Sequence, residues 1–166
     1  MRRRGFSLTE VLVVIAIIAI FGAIMTPMVA ASRTGMADTT ARLLWSDLEH
    51  AQMLAIARPN TRVALEVDGD GGGWRIIDLD NPTVPLTDAL DSNSNARSLS
   101  VRLGEQRAVA CEDVTISPSG RQIIFDPLGG LNTPGGPDKT LTVTGPLAVR
   151  IIAVDPDTGF VSLQTP

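Results

Sequence analysis

Hydrophobic residues along this chain are concentrated in one run near the amino terminus. The run extends from Val11 to Ala31, and a single carboxylate, Glu10, stands immediately before it. As a helix, this stretch would rise roughly 30 Å at about 1.5 Å per residue, which matches the thickness of a hydrocarbon core. The pattern predicts a membrane-spanning helix over residues 6–31.

The flanking charges predict how this helix is oriented. Three arginines, residues 2–4, precede the apolar run and a single one, Arg33, follows it, so the positive-inside rule predicts a cytoplasmic amino terminus and places everything after Ala31 across the membrane. The alternative is a secretory signal peptide cleaved before Ser32. The run is longer than the usual apolar region of about 7–15 residues, and a disposable segment has no reason to carry Glu10. A retained anchor is therefore favoured.

After Pro27 the apolar pattern becomes helical. Small and apolar residues recur in steps of four and three, which defines one face of an amphipathic helix over residues 32–58. The residues of this stripe are Ala37, Ala41, Leu44, Leu48, Ala51 and Ala55. Charged residues, Asp47 among them, mostly fall off the stripe, and Pro59 predicts that the helix ends near Ala57.

Residues 59–166 have a β pattern. The first predicted hairpin joins Thr61–Asp68, which alternates polar and apolar residues, to Trp74–Leu79 through the glycine-rich turn Gly69–Gly73. A long exposed loop is predicted over residues 80–98 because its composition is polar and contains prolines. The later predicted elements are a strand over Leu99–Leu103, a hairpin of Val114–Ser117 with Gln122–Phe125, strands around Leu141–Val143 and Val149–Val154, and a last strand over Phe160–Leu163.

Two features of the sequence could indicate a metal site, and both have simpler interpretations. Asp68 and Asp70 begin the spacing of a calcium loop, but Gly72 and Leu79 stand where that loop needs ligands, so a turn is favoured over calcium. The only histidine, His50, is predicted to lie on the helix surface, since no second histidine or cysteine cluster accompanies it. No metal site is predicted.

The only cysteine, Cys111, follows three apolar residues and is predicted to be a small buried side chain. A membrane-anchored exported enzyme is also disfavoured, because the chain contains no G-x-S-x-G motif, no phosphate-binding loop and no histidine placed beside a nucleophile. We expect no catalytic residues, no cofactor and no small-molecule substrate.

The amino-terminal sequence GFSLTEVLVVI, from Gly5 to Ile15, resembles the prepilin cleavage and methylation signature of type IV pilins and type II secretion pseudopilins. The resemblance implies that residues 1–5 are a leader, that prepilin peptidase cuts after Gly5, and that Phe6 becomes the N-methylated terminus. It also makes Glu10 the filament-assembly glutamate and Pro27 the site of a helix kink.

The chemistry agrees with this spacing. Cleavage exposes a cationic amine at Phe6, and a neighbouring subunit shifted along a filament can place that amine against Glu10. An unpaired carboxylate is costly in a low-dielectric environment, and a paired one is much less so. Charge pairing between subunits therefore accounts for a glutamate at the edge of an apolar helix.

A second resemblance lies near the carboxy terminus. The pattern Ile124-Phe125-x-Pro127-x-Gly129, followed by a closing hairpin with Thr158-Gly159 in its turn, is similar to the GspH/FimT family of minor pseudopilins and minor pilins. Without the resemblance, the same residues predict that Phe125 fills the core while Pro127 and Gly129 shape a turn. Both interpretations can hold together.

Charge bears on the choice of partner. The 166-residue chain carries 14 basic and 18 acidic side chains, and without arginines 2–4 its formal charge falls from −4 to −7. An acidic exported domain is a poor non-specific ligand for nucleic acid, which needs a basic patch. A DNA-uptake minor pilin should present clustered Lys or Arg near its carboxy-terminal end, where this chain offers only Arg150 amid aspartates. No nucleic-acid partner is expected.

Together the patterns and resemblances predict an α+β, pilin-like fold: a long amino-terminal helix, membrane-spanning in its first half and amphipathic in its second, packed on antiparallel sheet. Residues 59–166 would form a periplasmic globular domain. The expected function is a minor pseudopilin of a type II secretion system, with a minor type IV pilin as the alternative. The expected partners are prepilin peptidase, other pseudopilin or pilin subunits, and the bacterial inner membrane.

Overall fold

A computed structural model describes residues 8–87, 98–133 and 139–164, with the side chains of 24–34 outside that description. The helix α1 spans Leu8–Ala57, and a 3₁₀-helix spans Gln106–Cys111. The strands are β1 (Val63–Val67), β2 (Gly73–Asp78), β3 (Asn81–Pro85), β4 (Ser100–Arg102), β5 (Thr115–Ser117), β6 (Gln122–Ile124), β7 (Lys139–Thr144), β8 (Val149–Val154) and β9 (Val161–Gln164).

Helix α1 is 50 residues long, or about 75 Å at roughly 1.5 Å per residue. It ends at Ala57, two residues before Pro59, as predicted. The predicted stripe from Ala37 to Ala55 is fully buried against the sheets. By contrast, the side chains of residues 8–23 are exposed.

Within the part of the chain that the structure describes, no helix combines the length and apolar character needed to cross a membrane.

The strands form two antiparallel sheets. In the five-stranded sheet the order is β3-β2-β1-β6, with β4 also pairing with β2. The predicted β1–β2 hairpin is confirmed, with Val67 opposite Trp74 across its turn. The pattern underestimated the burial of β1, because Ala64 on its other face is also fully buried. Because β1 is a central strand between β2 and β6, it has no open edge, and of its five residues only Glu66 is partly exposed.

The four-stranded sheet has the order β5-β7-β8-β9. Both sheets and α1 enclose one hydrophobic core, which includes Trp74, Phe125, Leu141 and Ile152. The predicted α+β, pilin-like architecture of a long helix on antiparallel sheet is therefore confirmed.

The predicted hairpin of Val114–Ser117 with Gln122–Phe125 is wrong in its pairing. Both strands exist, but β5 pairs with β7 and β6 pairs with β1, so they belong to different sheets. The intervening residues pass the β1–β2 turn instead of closing a hairpin. There the Gly120 amide donates to the Val67 carbonyl at 3.1 Å, and the Ile116 amide donates to the Gly71 carbonyl at 2.9 Å.

The predicted loop over residues 80–98 is wrong over its first part. Residues 81–85 form β3 on the edge of the sheet, where prolines are tolerated because no ladder hydrogen bond is needed on the outer side. Leu86 packs against the core, and its amide donates to the Ile76 carbonyl at 2.8 Å. Residues 88–97 lie outside the described residues. The segment after Gly104, for which the sequence predicts no element, contains the 3₁₀-helix, and Cys111 at its end is buried, as predicted.

Candidate functional site

The amino-terminal candidates lie at the start of α1. Gly5 and Phe6 lie outside the described residues. Glu10 is in the first turn of α1 and is exposed. Helix α1 is continuous through Pro27, so a kink at that residue stays a prediction.

The carboxy-terminal motif folds into a turn at the other end of the molecule. Phe125 is buried in the core, as its pattern predicted, and Pro127 is exposed. The Oδ1 atom of Asp126 accepts hydrogen bonds from the backbone amides of Leu128 at 2.8 Å and Gly130 at 3.0 Å. Gly129 has a φ of +94°, a conformation that favours glycine. The motif is thus a tight turn behind a core residue.

A second turn, formed by Asp155–Gly159, packs against the first. Its Asp155 Oδ1 accepts from the Thr158 hydroxyl at 2.7 Å and from the Thr158 amide at 2.8 Å, and these bonds hold the pKa of Asp155 below its ordinary value. The Leu131 amide donates to the Pro156 carbonyl at 2.8 Å, which ties the two turns together.

Gln52 on α1 joins both turns to the helix. Its Nε2 atom donates to the Gly129 carbonyl at 2.7 Å and to the Thr158 carbonyl at 3.0 Å. A Cβ atom at Gly159 would lie 2.6 Å from that same Nε2 and would overlap the Gly129 carbonyl oxygen. We call the assembly of Gln52 with residues 126–130 and 155–159 the Gln52 junction.

Sequence reasoning identified the glycines of this junction but missed Gln52. The residue lies at the margin of the buried stripe, where a polar side chain is unremarkable in a helical pattern. Gln52 has hydrogen-bond acceptors only because the fold packs the two loops that contain Gly129 and Thr158 against this part of α1. Glu10 is 42 residues earlier on the same helix, about 60 Å away at roughly 1.5 Å per residue, so the two motifs form separate sites.

Asp47 is a second residue that the sequence misplaced. It was expected to fall off the buried stripe, but it is only 6% exposed. Its Oδ2 atom accepts a hydrogen bond from Trp74 Nε1 at 2.7 Å and pairs with Arg107. A carboxylate can be buried here because two donors compensate its lost hydration. The arrangement fastens β2 and the 3₁₀-helix to α1.

The charged groups considered as ligands have protein partners. Arg102 pairs with Asp70 at 2.6 Å and with Asp68 at 3.3 Å, and the Gly72 amide also donates to Asp70. The Gly72 amide and Arg102 lower the pKa of Asp70, and Asp70 in turn raises the pKa of Arg102. Over the described residues, no group of three or more His, Cys, Asp or Glu side chains is arranged to hold a metal.

Arg150, the one basic residue near the carboxy-terminal end of the sequence, has a structural role as the partner of Asp38. Its Nε atom donates to Asp38 Oδ1 at 2.6 Å, and a second guanidinium nitrogen lies 3.3 Å from the other carboxylate oxygen. This two-point contact joins β8 to α1. The positive charge is thereby matched by a carboxylate.

The long helix packed on antiparallel sheets, with a prepilin-like signature at its amino-terminal end, defines a pilin-like subunit. Residues 40–158 match the family model described as type II transport protein GspH, and residues 1–26 match the prokaryotic N-terminal methylation motif. The first match covers more than half of the chain, so the chain belongs to the GspH family of type II transport proteins.

Two solved structures are similar to this chain, and the first of them shares its fold. The minor pseudopilin EpsH from the type 2 secretion system of Vibrio cholerae is 13% identical with a TM-score of 0.50, and the match covers 78% of this chain and 97% of EpsH. The type IV minor pilin FimU of Pseudomonas aeruginosa is 17% identical with a TM-score of 0.49, and the match covers 76% of this chain and 91% of FimU. A search of curated protein sequences finds no significant match.

Proposed function

We propose that this chain is a minor pseudopilin of a type II secretion system. Prepilin peptidase cuts it between Gly5 and Phe6, and residues 6–31 anchor it in the inner membrane. It then assembles with other pseudopilins into the periplasmic pseudopilus. The observation that carries the proposal is the GspH match over residues 40–158 behind a methylation motif over residues 1–26.

The exposure of residues 8–23, at the start of α1, supports an assembly role. Large apolar side chains are exposed from Leu8 to Phe21. Burying one such side chain is worth about 1.5–3 kcal/mol, so this surface favours a lipid or helical environment over water. A membrane before assembly and neighbouring helices after it both provide such an environment.

Glu10 gives this assembly its register. After cleavage, the methylated amine of Phe6 on one subunit pairs with Glu10 on the next, and each charge lowers the cost of burying the other. In this proposal the subunit has a structural role: it acts through its contacts with other subunits and performs no reaction of its own.

Processing is tested by mass spectrometry of the protein purified from membranes of cells that contain a prepilin peptidase. The expected terminus is N-methylated Phe6. As a matched control, a Gly5→Ala variant should keep its leader and begin upstream of Phe6. A wild-type terminus at Ser32 would show signal-peptide cleavage and overturn the proposal, as would a wild-type leader that stays intact.

A further inference from the structure

In the described part of the chain after residue 36, exposed apolar side chains are concentrated at the Gln52 junction. Between residue 36 and the end of the described chain, eight large hydrophobic side chains are exposed, and four of these belong to the junction or adjoin it. We call these four the distal patch: Met53, Ile56, Leu128 and Phe160. Leu128 is 92% exposed and Phe160 is 68% exposed.

Packing at the junction explains why residues so far apart in sequence share one surface. Gly129 and Gly159, each next in sequence to an apolar member of the patch, both lie against Gln52. A Cβ atom at Gly129 would lie 3.1 Å from Ile56 Cδ1, and Met53 is three residues before Ile56 on the helix. Side chains three residues apart are neighbours on a helix surface. Clustered exposed apolar groups of this kind mark interaction sites.

The margin of the patch is acidic. Glu49 is exposed one helical turn before Met53, and Asp126 and Asp157 lie within three residues of Leu128 and Phe160, respectively. Two arginines also lie near the patch: Arg58 just beyond the helix end, and Arg62, which lines a cavity with Asp126 and pairs with Asp80 at 3.7 Å. A surface facing this margin gains electrostatic complementarity if it carries Lys or Arg.

The position on α1 bears on what covers the patch. From Ala31 to Met53 the helix rises about 33 Å at roughly 1.5 Å per residue. If residues 6–31 are the anchor, as proposed above, the patch lies well outside the bilayer. Lipid therefore does not cover it.

Charge argues against a second copy of this chain. A two-fold contact would bring the acidic margin of one patch against the same margin of the other, and like charges facing each other are unfavourable. The formal charge of −7 without arginines 2–4 adds to that repulsion. A different protein with an apolar anchor flanked by basic residues meets no such penalty.

We infer that the distal patch docks a different subunit of the same filament, one whose facing surface presents an apolar side chain flanked by Lys or Arg. This inference rests on the proposed function and adds the surface and the chemistry of the partner. Central apolar anchors supply most of the affinity at such contacts, and surrounding charges supply specificity.

The test uses the full chain, tagged and captured from membranes solubilised in mild detergent, with captured proteins identified by mass spectrometry. Wild type should capture a protein that carries its own prepilin signature. Leu128→Glu and Phe160→Glu should each reduce that capture by about tenfold or more, which corresponds to roughly 1.4 kcal/mol. Leu147→Glu is the matched control, because Leu147 is also exposed, at 58%, and lies outside the patch.

Charge is tested separately with Glu49→Lys, which should weaken capture, against Glu105→Lys, an exposed carboxylate elsewhere, which should not. Unfolding midpoints equal to wild type show that these surface variants are folded. If wild type captures no prepilin-type protein, both the proposed function and this inference fail. If wild type captures one and Leu128→Glu and Phe160→Glu capture it equally well, the inference alone fails. Capture of only a differently tagged copy of this chain would also overturn it.

Discussion

The side-chain amide of Gln52 donates from Nε2 to the carbonyl oxygen of Gly129, 77 residues later in the chain, at a distance of 2.7 Å. The same nitrogen donates to the Thr158 carbonyl at 3.0 Å, so both of its hydrogens have acceptors. One side chain on α1 thereby holds two turns that come from separate parts of the β domain.

Gln52→Glu should destabilise the protein while preserving its shape. The substitution replaces a donor by a carboxylate oxygen that faces two carbonyl oxygens, and an unsatisfied group of this kind costs about 1–3 kcal/mol. Urea unfolding followed by tryptophan fluorescence at neutral pH measures the change. Gln164→Glu adds the same charge at an exposed strand end and should leave the midpoint unchanged. Equal midpoints for Gln52→Glu and wild type would show that the hydrogen bonds contribute little.

Gly159→Ala should be more damaging than Gly120→Ala. Both glycines have a φ of +68°, so both substitutions force alanine into the left-handed region at about 1–2 kcal/mol. Open space surrounds a Cβ atom at Gly120, whereas a Cβ atom at Gly159 meets the Gly129 carbonyl and Gln52 Nε2. Crowding of this kind adds about 1–3 kcal/mol. The difference between the two unfolding free energies isolates the packing at the junction, and equal values would contradict it.

The sequence predicted what depends on local pattern and missed what depends on distant partners. The helix to Ala57, its buried stripe and the β1–β2 hairpin follow from periodicity and turn residues, and all were found. The predicted pairing of β5 with β6 was wrong because the turn residues between them, Pro118 and Gly120, signal a change of direction but do not say which sheet receives the next strand. Gln52 has no signature at all, because its acceptors are backbone carbonyls brought to it by the fold.

Asp47 illustrates the same limit and gives a third prediction. Asp47→Ala should cost more stability than Asp47→Asn, because alanine leaves the buried Trp74 indole N–H without an acceptor, while asparagine retains a carbonyl oxygen there. The loss of a partner for a buried donor costs about 1–3 kcal/mol. Far-UV circular dichroism during urea unfolding measures both variants.

Arg107→Met separates the ion pair from the indole hydrogen bond. The Arg107 side chain is one-third exposed, so water partly replaces it as a donor to the buried Asp47 carboxylate, and Arg107→Met should cost less than Asp47→Ala, which also strips the Trp74 indole of its acceptor. If Arg107→Met costs as much as Asp47→Ala, the ion pair and not the indole bond dominates.

The turn at Asp155 should make stability depend on acid. The pKa of Asp155 in the folded protein lies below its ordinary value of 3.8, mainly because the Thr158 hydroxyl donates to the charged form. The charge of Asp155 therefore stabilises the fold above pH 3.8, and this contribution is lost as the pH falls through the lowered pKa.

Asp155→Asn keeps an acceptor oxygen and removes the charge. Its thermal midpoint should lie below that of wild type at pH 7, and the gap should narrow in acid. Midpoints measured by circular dichroism across this range test the expectation. Asp113→Asn, at another exposed aspartate, serves as the control. A gap that widens in acid would contradict the direction of the shift.

The last prediction concerns Glu10 and separates assembly from insertion. Glu10→Ala should still insert into the membrane, because removing a charge lowers the cost of insertion. Cleavage after Gly5 and methylation of Phe6 should also persist, and mass spectrometry of the terminus checks both. Incorporation into the filament should fail, because the amine of the neighbouring subunit is left unpaired. Removing one partner from a buried ion pair costs about 3–5 kcal/mol.

Glu10→Gln, which keeps the size and loses the charge, should fail in the same way, and Glu10→Asp should retain part of the association. Co-purification with other filament subunits at equal expression is the measurement. Unchanged association and unchanged secretion in Glu10→Ala would refute a role for this carboxylate in assembly.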